Sequence, residues 1–170
     1  MSRGLTEGEI QLLRPWFGAA LVYGVVRIHC GHGFNPLAAA AFFNRNPAVA
    51  LGLHIHVMKR HYRADFSKEP LAEFAAFVAH EAVHVWQWRE GRFNPLKYLW
   101  QYWTWPCNGY DIRKVTAASR FATLGYDQQA EVMRWAVIEA GTEHGEMLRA
   151  VMAQRLPIVN FPGTDPVRVS

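Results

Sequence analysis

One stretch constrains this chain more than any other: Phe77-Val78-Ala79-His80-Glu81-Ala82-Val83-His84-Val85-Trp86-Gln87. It contains His-Glu-x-x-His. On an α-helix, residues four apart share a face about one turn (~6 Å) apart. Two neutral imidazoles so placed can share one Zn²⁺ at roughly 2.0–2.1 Å. Glu81 projects about 100° round the helix from His80. From there it misses the metal and reaches an attacking water as general base. The plainer alternative is an amphipathic helix that happens to carry two histidines. The flanks oppose it, because Phe74 to Ala79 precede the pair and Val85 and Trp86 follow it. A helix this apolar is buried, and buried polar groups need partners.

The chain's 170 residues suit one domain, spanning 1–170, with one core. Hydrophobic residues make up 51% and charged residues 19%. No apolar run reaches the ~18 residues of a membrane span. The start, Met1-Ser2-Arg3-Gly4-Leu5-Thr6-Glu7, lacks the basic-then-apolar order of a signal peptide. The expected localisation is therefore cytoplasmic. Cys30 and Cys107 have no CxxC partner and read as buried free thiols. The net charge of +4 comes from scattered basic residues, with small clusters at Lys59-Arg60-His61 and Arg89 to Arg92. It reads as a solvated basic face; without a readout motif, nucleic acid is not an expected partner.

Thr6-Glu7-Gly8-Glu9 is a capping box that opens a helix over 7–17, and Gly18 can end it. Residues 21–29 are rich in β-branched side chains and predict a strand. Residues 31–36 read as a turn, and Ala38 to Phe43 as a short helix. Residues 50–58 predict a second strand. His29, His54 and His56 fall on these strands and read as sheet-surface or core histidines, with an auxiliary site conceivable. Ser67 is the expected N-cap, and Pro70 fits the first turn of a motif helix over 69–90, stopped by Gly91. Aromatic residues crowd the region from Phe93 to Tyr126, among them Tyr98, Trp100, Tyr102, Trp103, Trp105 and Tyr110. Most should cover the motif helix, and some suit a groove for an extended peptide. Further helices are expected over 127–140 and 142–155, and 156–170 as an extended tail.

A catalytic zinc takes three protein ligands. Glu90, ten residues after His80, is carried about 9 Å past His84 along a continuous helix and off the histidine face. Asp127 and Glu131 are better placed, four apart at the start of the next strong helix. One can bind zinc while the other accepts the free N–H of a ligand histidine. Both would otherwise be first-turn carboxylates favoured by the helix dipole.

His80-Glu81-x-x-His84 followed by a helical acid-x-x-Ala-acid resembles the gluzincin branch of zinc metallopeptidases. In that family's second motif the first acid binds zinc and the last orients a histidine. The resemblance implies that Asp127 is the ligand and Glu131 the orienting acid. The acids are reversed here: Asp127 is one methylene shorter than the family's Glu, so Glu131 stays the alternative ligand. A narrower resemblance rests on Leu5-Thr6-x-Gly8-Glu9-Ile10, Val26-Arg27-Ile28-His29, Asp65-Phe66-Ser67-x-Glu69-Pro70-Leu71, His84-Val85-Trp86-Gln87 and Gln128-Gln129-Ala130-Glu131. Together these are similar to small bacterial proteins called Vgr-related or Rhs-associated. That name implies association with components of a contractile (type VI-like) secretion system, and leaves export through it open.

The expectation is thus an α+β, zincin-like domain, with a small sheet packed on the long HExxH helix and further C-terminal helices. It would hydrolyse a peptide or protein substrate with Zn²⁺ held by His80, His84 and Asp127, with Glu81 as base. Tyr126 or Tyr110 would stabilise the oxyanion. The rival reading is an accessory or adaptor protein of a secretion apparatus that keeps zinc without hydrolysis.

Overall fold

The computed structural model describes residues 1–92 and 110–156. A small mixed sheet packs on helices, an α+β arrangement. The sheet runs in the order β1-β2-β4-β3. Strand β1 (Ser2–Gly4) pairs antiparallel with β2 (Arg27–Cys30). Strand β2 pairs parallel with β4 (His54–Val57), which pairs antiparallel with β3 (Ala48–Leu51). Helix α1 (Glu7–Phe17) follows β1, and α2 (Pro36–Phe43) joins β2 to β3.

Two sequence expectations change here. The 50–58 strand is a hairpin, because Leu51 pairs with His54 across the two-residue turn Gly52-Leu53. Gly52 takes φ +64°, which a glycine at the first turn position adopts without steric cost. The 21–29 strand is shorter than expected: Tyr23–Val25 form a 3-10 turn before β2 begins at Arg27. The capping box of α1 stands as read, with the Glu9 N–H donating to the Thr6 hydroxyl and the Thr6 N–H to the Glu9 carboxylate.

The motif helix has three parts. After α3 (Leu71–Phe74), a π-helical segment spans Ala75–Ala79, where the His80 N–H donates to the Ala75 carbonyl. Then α4 runs over His80–Arg89. Ser67 is not the N-cap: Asp65 caps the preceding 3-10 turn by accepting from the Ser67 N–H, and Pro70 starts α3. Gly91, at φ +65°, ends the element as expected. Helices α5 (Tyr126–Ile138) and α6 (Glu143–Ala153) complete the described fold.

One apolar core holds these layers. Ile28, Ile55 and Val57 of the sheet meet Val78, Ala82, Val83 and Trp86 of the motif helix. Val132, Met133 and Ala136 of α5 and Leu148, Val151 and Met152 of α6 close the far side. Each large side chain buried this way contributes about 1.5–3 kcal/mol, so the backbone beneath the motif is firmly set. On the sheet, the His29 ring stacks on His56 at 4.5 Å and bonds the His54 ring at 2.9 Å. Burial and then the neighbouring histidines hold His29 and His56 below the ordinary imidazole pKa. Cys30 is a half-buried free thiol. Cys107, the aromatic stretch over 93–109 and the tail beyond Leu156 lie outside the described residues. Among the described residues, no helix is long and apolar enough to cross a membrane.

Candidate metal centre

Helix α4 presents His80 and His84 one turn apart, with ring centroids 5.2 Å apart. Helix α5 packs across them and brings Asp127 and Glu131 to the same place. One ligand atom from each of His80, His84 and Asp127 lies within 4.8 Å of the other two, the one such group among the described residues. The two acids have different neighbours. Glu131 Oε1 is 3.1 Å from His80 Nδ1, and Asp127 Oδ1 is 3.5 Å from His84 Nε2. Glu90 is exposed at the end of α4 and takes no part.

The hydrogen bonds decide which nitrogen of each histidine carries a proton. The Gln87 amide donates from Nε2 to the Tyr126 carbonyl at 3.2 Å and to Gln129 Oε1 at 2.9 Å. A carbonyl can only accept, so Gln87 must turn its own Oε1 toward His84 Nδ1, 2.9 Å away. His84 therefore donates from Nδ1 and keeps a lone pair on Nε2. Gln129 is held in turn, donating to the carbonyls of Phe121 and Leu124. His80 donates from Nδ1 to Glu131 by the same logic, which leaves a lone pair on Nε2. Glu131 is also gripped by Arg134 at 3.3 Å. Burial alone would raise the Glu131 pKa; the His80 hydrogen bond and charge, with Arg134, outweigh it and hold the pKa below the ordinary value.

These roles leave two lone-pair atoms, His84 Nε2 and Asp127 Oδ1, facing each other in a half-buried cleft. A cation between them relieves that repulsion. Glu81 adds a second unmet demand: it is buried, and its Oε2 has no hydrogen-bond partner among the described residues. Burial pushes its carboxyl up to about 7, with His84 lowering it, the Asp127 charge raising it and the Ala50 backbone amide lowering it. Two imidazoles and a carboxylate, each histidine oriented by a second hydrogen bond, suit zinc better than a hard cation such as Mg²⁺ or Ca²⁺.

The cleft runs along the sheet edge. A cavity of about 80 Å³ is lined by Ala48 to Leu51 of β3 together with His80, Glu81, His84 and Asp127. A neighbouring one of about 420 Å³ includes Asn46, Phe77, Glu131 and Arg134. Tyr110 lines both, its ring stacked on His80 at 6.2 Å. Tyr126 is buried and donates its hydroxyl to the Arg92 carbonyl; it lines neither cavity. Of the two expected oxyanion donors, only Tyr110 stands in the cleft.

Sequence reasoning passed over Gln87, Gln129, Arg134 and the β3 edge. A signal existed for Gln87: it stands three residues after His84, on the same helix face, and an amide in so apolar a helix requires a partner. Arg134 stands three after Glu131 in the same way.

No protein-family model matches the chain, and no curated protein matches it significantly. Among solved structures, the chain is similar to the effector domain of Pseudomonas aeruginosa VgrG2b. The TM-score is 0.66 at 23% identity, over 91% of this chain and 83% of that one. At this identity the likeness establishes a shared fold.

Proposed function

We propose that this protein is a zinc-dependent peptide hydrolase acting in association with a contractile secretion system. The observation that carries the chemistry is the pairing of unmet demands in one cleft. His84 Nε2 faces Asp127 Oδ1, and the buried Glu81 Oε2 lacks a hydrogen-bond partner among the described residues. His80, His84 and Asp127 would hold the metal, with Glu131 and Gln87 fixing the imidazoles. Zinc, when bound, supplies Lewis acidity toward the scissile carbonyl.

The remaining steps belong to this chain's own residues. Glu81 takes the proton from the attacking water and returns it to the leaving amine. In the metal-free chain burial raises this carboxyl to about 7, toward the range suited to both transfers. Strand β3 is the sheet's outer strand and lines the cleft, with its outer edge unpaired among the described residues. An extended peptide can add to that edge through main-chain hydrogen bonds, and this favours peptide as the substrate. Tyr110, which lines the cleft, would be the donor to a developing oxyanion. The secretion association rests on the Vgr-related sequence resemblance and on the fold shared with an effector domain of VgrG2b.

The test is metal analysis and peptide-library cleavage of wild type and Glu81→Gln side by side. We expect one zinc per chain in both. Cleavage should fall at least ~10²-fold in the variant. Equal rates would reject Glu81 as the base. Zinc without Glu81-dependent cleavage would assign the chain to the non-catalytic accessory role.

A further inference from the structure

Away from the cleft, α2 is apolar on every side: Pro36-Leu37-Ala38-Ala39-Ala40-Ala41-Phe42-Phe43. Such a helix ordinarily lies in an apolar medium, yet only Ala38 is buried. Phe34, in the turn before it, is 107% exposed; Phe43 is 88% and Leu37 66% exposed. The ends of the helix are closed: Asn35 accepts from the Leu37 and Ala38 N–H groups, and the Asn44 N–H donates to the Ala40 carbonyl. No open backbone donor at its start resists transfer to a drier phase.

Its surroundings are cationic. Residues 10–64 contain no Asp or Glu, although the chain has 14 acidic residues, and they carry six Lys or Arg and five His. Three cations flank the apolar patch. Arg45 follows α2 directly and is exposed. Lys59, also exposed, lies beside Gly31, where a Cβ would meet its side chain at 3.5 Å. Arg60 follows it in the same 3-10 turn.

We propose that α2 and the Gly31–Asn35 turn form a peripheral docking surface for an anionic phospholipid bilayer. Phe34, Leu37 and Phe43 enter the headgroup–acyl boundary while Arg45, Lys59 and Arg60 meet lipid phosphates. Projecting apolar side chains and a cationic fringe are the two terms that set the strength of interfacial binding to an anionic bilayer. A nucleic acid would use the cations but gains nothing from Leu37 or Ala40. Asn46, three residues past α2, lines the cleft with His80 and Glu81, so the docked surface and the cleft adjoin.

The experiment is co-sedimentation of the full chain with two kinds of vesicle, phosphatidylcholine alone and phosphatidylcholine mixed with phosphatidylglycerol. Wild type should partition at least ~10-fold more strongly onto the anionic vesicles, and less as salt rises. The pair Phe34→Ser and Phe43→Ser should lower partitioning about 100-fold, since each ring forfeits its apolar transfer. The pair Arg45→Glu and Lys59→Glu should lower it about 10-fold or more. These positions are exposed, so circular dichroism melts should match wild type; Leu37→Gln gives an independent variant of the apolar face. Three results would overturn the proposal. One is no binding of wild type to anionic vesicles. Another is equal binding by the serine variant. The third is a wild-type dimer in sedimentation velocity that the serine variant breaks, with vesicle binding absent, because the patch would then bind a second copy.

Discussion

Glu81 makes the stability of the chain depend on pH. Its carboxyl is buried and raised from an ordinary 4.5 to about 7, chiefly by desolvation. The folded chain therefore holds this proton more tightly than the unfolded chain does. That contribution is complete below pH ~4.5 and is lost as pH rises through about 7. At about 1.4 kcal/mol per unit, the window spans roughly 3 kcal/mol. Gln at position 81 keeps the shape and cannot ionise. In chelator-stripped protein, Glu81→Gln should match wild type near pH 4.5 and exceed its stability by about 3 kcal/mol at pH 8. Urea denaturation at the two pH values measures this. A gap that does not change with pH would mean that the Glu81 carboxylate finds partners beyond the Ala50 N–H inside the folded chain.

At the scale of elements, the site is an agreement between α4 and α5. Asp127 and Glu131 stand one turn apart on α5, His80 and His84 one turn apart on α4, and each acid meets one histidine. The sequence made this legible because i,i+4 spacing is a property of any helix; the motif and its apolar flanks marked one helix, and an apolar stripe marked the other. Which acid faces which histidine depends on the rotation of α5 about its axis, and only packing against α4 sets that. The π-helical Ala75–Ala79 segment was illegible for a related reason: one extra residue in a turn leaves no mark on so uniformly apolar a run. The β3–β4 hairpin was missed because Gly52 sat inside an apolar stretch that reads as continuous. A graded prediction follows from the geometry. Asp127→Ala should nearly abolish zinc binding, whereas Glu131→Ala and Gln87→Ala should weaken it about 10–100-fold, since they only orient ligands. Competition with a chromophoric chelator gives the order. If Glu131→Ala is the most damaging, Glu131 and not Asp127 is the ligand.

At the scale of the whole molecule, the motif helix is tied to the start of the chain through Glu9. That carboxylate is fully buried in the first turn of α1. It accepts from the two terminal Arg3 guanidinium nitrogens at 2.7 Å, from the Thr6 N–H at 2.8 Å and from the Phe66 N–H at 2.9 Å. One side chain thus joins β1, the start of α1 and the turn that leads into α3. The Thr6 hydroxyl adds a bond to Asp65 at 2.8 Å. Gly8 permits the approach, because a Cβ there would meet the Ser67 hydroxyl at 2.2 Å. The arrangement predicts an asymmetry between its two charged members. Arg3→Met leaves Glu9 with two backbone donors, so its charge stays partly satisfied. Glu9→Ala orphans those two N–H groups and leaves the Arg3 guanidinium with only the Gly4 and Arg63 carbonyls, and breaking a buried pair from one side costs about 3–5 kcal/mol. For a chain of this size that lowers the melting temperature by about 10 °C or more. Thr6→Ala, which removes a cap, should cost about 1 kcal/mol. Thermal melts of the three variants should therefore rank Glu9→Ala as the most damaging, Arg3→Met as intermediate and Thr6→Ala as the mildest. If Arg3→Met proves as costly as Glu9→Ala, the ion pair holds this junction and the two backbone bonds contribute little.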